Sequence, residues 1–285
     1  MNKRVSIIMG IYNCEKTLDD AIRSIEKQTY KNWELVMCDD GSTDHTLEIA
    51  NQYVKRDERI KLLKNNSNLG LPGTLNKCLQ FCNGDYIMRH DGDDIMIESR
   101  IERQVTYMDH HNCAACGSGV YLFDDNGVWG IRQPELKPGK HVMILDTPFI
   151  HPTVMMKREK LIEVGGYSDN YITKQRLEDY DLWLKFYEKG CSLHNIQEPL
   201  IYYREDQNSY KRKSRKFRIT ETKARLDACR RLNIPYLKRL LAFKPLIIMF
   251  IPKASLRKYH VWRAKKGYFN VNIKTQEGIF EKGNG

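Results

Sequence analysis

The segment Asp85-Tyr86-Ile87-Met88-Arg89-His90-Asp91-Gly92-Asp93-Asp94 decides how this chain folds. Its first residues are mostly apolar, which is typical of a buried strand, and an amphipathic pattern typical of a helix begins near Glu98. Three carboxylates therefore lie close together where a strand ends. They repel one another unless a cation lies among them, and a hard divalent cation prefers oxygen ligands. We expect a divalent-cation site at this point.

Strand-like and helix-like segments alternate through the first hundred residues. The strands are continuous apolar runs, as expected where both faces of a sheet are covered, and they are predicted at residues 5–12, 33–38, 60–63 and 86–89. Helices are predicted at about 15–28, from a cap at Thr43 or Asp44 to Tyr53, at about 73–82 and at about 98–108. This order predicts an α/β fold with a Rossmann-like, mostly parallel central sheet flanked by helices.

The pattern changes in the second hundred residues. Residues 113–132 resemble a β-hairpin with a turn at Asp124-Asp125-Asn126-Gly127. Beyond it we predict a strand at 152–156, a short helix at 157–164, a helix at 178–188 and short strands at 192–196 and 200–203. After Ser209 the chain is basic and helical to about Lys266.

Positive charge is concentrated near the C-terminus. The chain of 285 residues has a net charge of +11, but residues 204–266 alone hold 20 Lys and Arg against 4 Asp and Glu. The local balance is +16, so the remaining residues carry −5. This asymmetry predicts a catalytic body with an electrostatic anchor.

Cysteine spacing and the length of the apolar runs argue against several classes of protein. Cys113-x-x-Cys116 has no second pair at zinc spacing, so we predict that the eight cysteines are free thiols in a reducing cytosol. No apolar run approaches the roughly 20 residues that span a bilayer. The first residues lack the apolar region of a signal peptide.

Three polar clusters follow predicted strands and should converge on one edge of the sheet, since ligands bind at the carboxyl ends of parallel strands. They are Tyr12-Asn13, residues 39–42 and residues 90–93. Asp91 and Asp93 are two positions apart and face the same side of an extended chain. Through a cation they would neutralise the charge of a departing diphosphate.

The first two clusters leave alternatives open. The carboxylate of Asp40 is suited to accept hydrogen bonds from a nucleobase imide or from ribose hydroxyls, but this segment is equally suited to a turn that caps a helix. Tyr12 is either a ring that stacks on a base or an aromatic residue at the rim of the site.

Glu178 and Asp179 begin a predicted helix. Carboxylates at a helix N-terminus are stabilised by the helix dipole and by free N–H groups, which is one explanation for them. The other is that Asp179 is the general base that a sugar hydroxyl needs in order to act as a nucleophile. His151 precedes Pro152 and is either a local hydrogen-bonding residue or a ligand contact.

These residues, in this order, resemble those of the family-2 inverting glycosyltransferases of the GT-A fold, of the bacterial surface-polysaccharide type. The resemblance covers about residues 4–209. Its motifs are residues 5–8 with Tyr12-Asn13, Ser24-Ile25-x-x-Gln28-Thr29-Tyr30, residues 33–36, residues 39–44, Asn68-Leu69-Gly70, residues 84–87, residues 91–94 with Arg100-Ile101, residues 151–155, residues 165–167, residues 178–183 and Tyr203-Arg204.

The resemblance implies a role for each matching residue. Tyr12, Asn13, Asp40 and Asp91 would bind the nucleotide of a nucleoside-diphosphate sugar, and Asp93 with Asp91 would hold Mn²⁺ or Mg²⁺. Asp179 would deprotonate the acceptor hydroxyl, with Glu178 and His151 on the acceptor side. In many relatives a His stands two residues after the Arg of the late Tyr-Arg motif, and here that position is Asp206, which is either a third metal ligand or a surface residue.

The same resemblance suggests how the chain is divided. We predict a catalytic domain at residues 1–209, with a nucleotide-sugar-binding half at 1–110 and an acceptor-binding half at 111–209, and a basic helical extension at 210–285. Within the extension, residues 245–251 form an apolar run too short to span a bilayer. With its basic and aromatic flanks it is either an interfacial segment, anchored to anionic lipid through residues 210–266, or a hairpin packed on the catalytic domain.

The sequence therefore predicts a metal-dependent inverting glycosyltransferase that moves a sugar from a UDP-sugar to a saccharide acceptor linked to a polyprenyl diphosphate, in bacterial surface-glycan synthesis. We expect it in the cytoplasm, peripherally bound to the inner face of the cell membrane, with no nucleic-acid partner and an oligomeric state that the sequence leaves open. Two alternatives are a sugar-nucleotide nucleotidyltransferase and a non-catalytic basic protein that binds RNA or membrane.

Overall fold

A nine-stranded sheet forms the centre of the protein in the computed structural model, which describes residues 3–170, 172, 173, 176–205 and 214–270. Its order is β3-β2-β1-β4-β8-β6-β9-β5, and β7 pairs with β6. The strands are β1 (Val5–Ile11), β2 (Trp33–Asp39), β3 (Ile60–Lys64), β4 (Tyr86–Arg89), β5 (Ile95–Met96), β6 (Ala115–Asp124), β7 (Gly127–Arg132), β8 (Met155–Lys157) and β9 (Leu193–Arg204).

Helices cover both faces of this sheet. They are α1 (Leu18–Glu26), α2 (Thr46–Val54), α3 (Gly70–Leu79), α4 (Arg100–His111), α5 (Arg158–Glu163), α6 (Glu178–Glu188), α7 (Arg215–Arg231), α8 (Tyr236–Arg239), α9 (Lys244–Ile248) and α10 (Lys253–Asn270). The first helix forms because Leu18, Ala21, Ile22 and Ile25 recur at helical spacing, and all four are buried against the sheet.

The α/β fold predicted from the sequence is confirmed in its first half. Strands β3, β2, β1 and β4 are parallel neighbours, and their carboxyl ends share one edge, where Asp39 and residues 90–94 follow. Beyond β4 the sheet is mixed, because β8 runs antiparallel to both β4 and β6 while β9 runs parallel to β6.

Two local predictions differ from the structure. The strand expected at residues 152–156 is a 3₁₀ turn at His151–Thr153 followed by β8, because Pro152 lacks the N–H that a ladder position needs. The two strands expected at 192–196 and 200–203 form the single strand β9, whose register with β6 shifts on either side of Gly119.

A buried guanidinium joins the elements around the end of β4. Arg100 is fully buried, and its Nη2 donates hydrogen bonds to the carbonyls of Arg89 (3.0 Å) and Pro152 (2.8 Å). Its Nε donates to Gln104 (3.0 Å), whose amide in turn donates to the carbonyls of Cys116 and Thr153. Burial lowers the pKa of Arg100 to about 9, which leaves it charged at neutral pH. This network fixes β4, α4, β6 and the 3₁₀ turn relative to one another.

The C-terminal helices pack on the rest of the chain. Ser214 caps α7 by accepting a hydrogen bond from the Phe217 amide (3.1 Å), and α7 buries Ala224 and Ala228 in the core that also contains Phe186 of α6. At the other end, Ala264 of α10 is buried against β7, where the backbone of Gly130 leaves space for it. Helices α7 and α10 are therefore packed on the rest of the chain, as in the second alternative for the C-terminal extension. The domain boundary at 209/210 stays a prediction.

No helix in the described part of the chain is long and apolar enough to cross a bilayer. The apolar run at 245–251 is divided between α9 and the turn that follows it.

We expect Arg100→Met to lower the free energy of unfolding by about 3–5 kcal/mol, because the change leaves buried carbonyls and the Gln104 amide group without their partner. Arg103→Met is the matched control on the same helix. Arg103 forms an exposed ion pair with Glu198, so its loss should cost less than about 1 kcal/mol. Urea unfolding of the wild type and the two variants measures both changes in the free energy of unfolding. Equal changes in the two variants would show that Arg100 contributes no more to stability than an exposed arginine.

Candidate active site

A cavity of about 2150 Å³ opens at the carboxyl edge of the parallel strands. The end of β4 contributes Asp91 and Asp93 to its wall, the start of α6 contributes Glu178 and Asp179, and the 3₁₀ turn contributes His151. The fold thus brings together carboxylates that are nearly ninety residues apart in the sequence. Parts of α7, α9 and α10 line the same cavity.

Three carboxylates are clustered after β4. Asp91, Asp93 and Asp94 each place one oxygen within 4.8 Å of the others. Asp93 is open to the cavity, yet the surrounding protein and the charge of Asp91 raise its pKa to about 6. Burial, together with Asp93 and Asp91, raises the pKa of Asp94 well above its usual value. The three groups therefore resist being ionised together.

Asp94 belongs to this cluster, although the sequence analysis did not give it a role. It is 1% exposed, and its Oδ1 accepts a hydrogen bond from the backbone N–H of Arg204 (2.9 Å). Its Oδ2 is buried and has no hydrogen-bond partner among the described residues. The guanidinium of Arg204 also donates to the carbonyl of Asp93 (3.4 Å), so the end of β9 is attached to the loop that carries the cluster.

The donor set fits a hard divalent cation. It consists of carboxylate oxygens, one of them a buried orphan, and such a cation would relieve the repulsion that raises the two pKa values. Asp91 and Asp93 are the predicted ligands, and Asp94 is a third candidate. Asp206, the other predicted ligand, lies outside the described residues.

Arg89 is the buried cation of the site, and the sequence analysis gave it no role. It is 4% exposed, and its Nη2 forms an ion pair with Asp91 Oδ1 at 2.7 Å. Burial would lower the pKa of Arg89, but the charges of Asp91, Tyr167, Glu178 and Asp94 outweigh it and raise the pKa. Its Nε and Nη1 have no hydrogen-bond partner within the described ranges. An Arg between the apolar residues of a strand and a carboxylate cluster is the sequence signal that would have identified it.

The start of α6 holds the predicted acceptor-side carboxylates. Burial first, and then the charge of Asp179, raise the pKa of Glu178 to about 7. Asp179 Oδ1 accepts a hydrogen bond from the Tyr180 amide (2.7 Å), and Asp179 faces the cavity. His151 bonds to the hydroxyl of Tyr167 through Nε2 (3.0 Å). Burial and Arg89 lower the pKa of His151 well below its usual value, so its imidazole is neutral.

Of the four predicted nucleotide-binding residues, Asp91 lines the cavity and the other three do not. Among the described residues that line the cavity, Tyr12, Asn13 and Asp40 are absent, whereas Leu69 and Gly70 are present. Asp40 accepts hydrogen bonds from the backbone amides of both (2.8 and 2.9 Å), so it orders this rim. Tyr12 is half exposed, and Asn13 accepts a hydrogen bond from the Thr43 amide (2.9 Å). Their contacts with a nucleotide stay predictions.

Comparison with known proteins shows which family the chain resembles. The family described as glycosyl transferase family 2 matches residues 6–166. The putative glycosyltransferase EpsE of Bacillus subtilis (strain 168) is 44% identical over 259 residues, which cover 90% of this chain and 93% of EpsE. An Escherichia coli enzyme named UDP-Gal:alpha-D-GlcNAc-diphosphoundecaprenol beta-1,3-galactosyltransferase is 31% identical over 267 residues, or 90% of this chain and 94% of that protein.

Solved structures share the fold at low sequence identity. Staphylococcus aureus TarS 1–349 in complex with UDP-GlcNAc matches with a TM-score of 0.61 and 16% identity, covering 94% of this chain and 92% of that one. The mannosyltransferase PcManGT from Pyrobaculum calidifontis, in complex with GDP-Man and Mn²⁺, matches with a TM-score of 0.62 and 16% identity, covering 94% and 85%. These similarities confirm the predicted GT-A architecture.

The raised pKa of Glu178 predicts a pH-dependent stability. Its folded-state pKa of about 7 lies above its usual 4.5, so the unfolded chain loses this proton first and stability falls as pH rises from about 4.5 to about 7. Glu178→Gln removes that loss. With EDTA present, the free energy of unfolding of the variant relative to that of the wild type should rise by up to about 3 kcal/mol between pH 5 and pH 8.

Urea unfolding at the two pH values tests this expectation. Glu163→Gln is the control, because its exposed carboxyl is paired with Lys160 and has a lowered pKa. The difference between that variant and the wild type should be the same at pH 5 and pH 8. An equally constant difference for Glu178→Gln would show that Glu178 is ionised at both pH values.

Proposed function

Because the chain belongs to glycosyltransferase family 2, whose members are inverting glycosyltransferases, we propose that it transfers one sugar from a UDP-sugar to a hydroxyl of a lipid-linked saccharide, with a divalent cation as cofactor. One observation carries this proposal. Asp91 and Asp93 at the end of β4 and Asp179 at the start of α6 line the same cavity. A diphosphate site and a general base therefore face a shared space.

Asp179 acts on the acceptor in this mechanism. Its carboxylate takes the proton of the acceptor hydroxyl as the oxygen attacks the anomeric carbon of the donor sugar. The bond between that carbon and the diphosphate oxygen breaks, and the nucleoside diphosphate leaves from the opposite face, which inverts the configuration. Neutral His151, held by its hydrogen bond to Tyr167, lines the acceptor side of the cavity and adds no charge there.

Asp91 and Asp93, with Asp94 as a third candidate, would hold Mn²⁺ or Mg²⁺, which would stabilise negative charge on the leaving diphosphate. Arg89 keeps the carboxylate of Asp91 in place through their ion pair. Arg204 does the same for Asp94 and for the backbone of Asp93. These contacts hold the cluster in place before a donor binds. Charged groups that are preorganised in this way stabilise a transition state most effectively.

The relatives support the choice of donor and acceptor. The Escherichia coli galactosyltransferase carries UDP-Gal and a diphosphoundecaprenol-linked sugar in its name, and it aligns with 90% of this chain. The family assignment removes support for the nucleotidyltransferase and for a protein without catalytic activity.

We expect Asp179→Asn to lower kcat by about 10²–10⁴, because the acceptor hydroxyl loses its general base. Asp93→Asn should abolish stimulation by Mn²⁺ or Mg²⁺. Asp146→Asn is the control, since Asp146 is an exposed carboxylate that lines the same cavity. A panel of nucleotide sugars with a saccharide diphosphate lipid as acceptor, read out as released nucleotide and as product, measures all three. Full activity in Asp179→Asn would refute the assigned base.

We also propose that the C-terminal helices bind the surface of an anionic membrane. Large apolar side chains are exposed on α8 and after α9, including Leu237 (80%) and Phe250 (81%). Lys238 and Lys244 lie between them in the sequence, and Lys258 follows them. Apolar anchors flanked by cations are the pattern of a peripheral membrane segment.

Liposome sedimentation tests this binding. Binding to anionic vesicles should weaken as salt rises from roughly 0.1 to 1 M, because the screening length falls from about 10 to about 3 Å. The pair Leu237→Ser and Phe250→Ser should weaken it by about tenfold or more, since each side chain contributes up to roughly 1.5–3 kcal/mol when buried in an apolar phase. Ile162→Ser, on exposed α5, is the control and should bind normally. Binding that ignores both salt and the paired substitution would contradict the proposal.

A further inference from the structure

The C-terminal helices give part of the cavity wall the opposite charge to the carboxylate cluster. The helices α7, α9 and α10 direct five cationic side chains to it against one carboxylate, Glu221, among the described residues; the five are Arg215, Arg218, Arg225, Lys244 and Arg263. These helices lie outside residues 6–166, the segment that the family model matches. The basic wall is therefore formed by the C-terminal part of this chain.

Three of these cations are available for a ligand. Arg218 and Arg225 are paired with Glu221 (3.0 and 2.8 Å). Arg215, Lys244 and Arg263, in contrast, are exposed, and none has an ion-pair or hydrogen-bond partner in the described part of the chain. Unpaired cations on a concave surface favour a ligand with two or more negative charges.

The position of α10 links this basic wall to the catalytic end. Ala264, next to Arg263, packs in the same apolar cluster as Tyr203. Tyr203 directly precedes Arg204, whose amide bonds to Asp94. The basic wall thus borders the strand that contacts the carboxylate cluster, and both lie on one continuous cavity.

An apolar section of the wall adjoins the cations. Ile248, Phe250, Ile251 and Leu256 line the cavity beside Lys244, and Phe250 is 81% exposed. The lining of the cavity therefore includes carboxylates, cations and apolar side chains. A saccharide linked to a polyprenyl diphosphate has the matching parts: a hydroxyl that reacts, a diphosphate and a hydrocarbon chain.

We propose that Arg215, Lys244 and Arg263 form a subsite for the diphosphate of the acceptor, and that Ile248, Phe250 and Ile251 receive the first units of its prenyl chain. This inference rests on the proposed function and adds the residues that select a diphosphate-linked acceptor. We assign these cations to the acceptor because, in the proposed function, the donor diphosphate binds through the cation at Asp91 and Asp93.

Binding of farnesyl diphosphate in the presence of EDTA tests the subsite without catalysis and without a metal. The double variant Lys244→Glu/Arg263→Glu should raise the Kd about tenfold or more, equivalent to roughly 1.4 kcal/mol or more. The control Lys223→Glu/Lys265→Glu changes the net charge equally at exposed residues of α7 and α10 that do not line the cavity and should bind as the wild type does. Equal loss in both double variants, or loss in neither, would overturn the subsite.

Transfer assays with soluble acceptors, in the absence of vesicles, identify which diphosphate the cations recognise. For a short-prenyl saccharide diphosphate, the cavity variant should raise the acceptor KM about tenfold while the donor KM and acceptor-free donor hydrolysis stay unchanged. The same saccharide without diphosphate should react equally with variant and wild type. A donor KM raised as much as the acceptor KM would assign the cations to the donor and refute the inference.

The outcomes for the two proposals are separable. If the wild type transfers sugar and the cavity variant does so with an unchanged acceptor KM, the subsite fails and the proposed function stands. If the wild type transfers no sugar from any nucleotide donor, the proposed function fails, and binding of farnesyl diphosphate still decides the subsite.

Discussion

Mutual repulsion among Asp91, Asp93 and Asp94 is the constraint around which this structure is organised. Repulsion among three carboxylates favours movement of the segment that follows β4, but contacts with several elements hold this segment in place. The buried guanidinium of Arg100 binds the backbone at Arg89, the side chain of Arg89 pairs with Asp91, and the Arg204 amide bonds to Asp94. Each of these contacts comes from a different element. The repulsion therefore persists in the folded protein, rather than being relieved by movement of the chain.

The spacing of apolar residues was sufficient to predict the strands and helices that form from local sequence. The parallel strands β1 to β4 and the helix at residues 178–188 are recognisable because their apolar residues recur at fixed spacing. Strands β5 and β9 depend on distant partners, since β5 pairs with β9 and β9 pairs with β6, so no local pattern reveals them. Long-range pairing decides these segments, and it overrides local preference.

The site divides in the same way. Asp91, Asp93 and Asp179 were identified because carboxylates after a strand or at a helix start are visible in the sequence, and the fold places them on one cavity. Arg89 was missed because burial gives an arginine its significance, and burial is a tertiary property. Asp40 shows the converse, since its hydrogen bonds to Leu69 and Gly70 place it behind the wall that it orders. The basic wall on α7, α9 and α10 was visible only as net charge until the helices were packed.

The contact between Gly130 and Ala264 has an evolutionary consequence. A side chain added at residue 130 would come within 2.9 Å of Ala264, so α10 can lie on β7 only while both positions remain small. The two residues are 134 positions apart, yet they are constrained as a pair. In a descendant with a larger residue at either position, α10 would have to move. Leu256 and Arg263 of α10 line the cavity, so the basic wall would change, while the carboxylates after β4 would not. If the acceptor binds at the basic wall as we propose, acceptor preference can therefore diverge without any change to Asp91, Asp93 or Asp179.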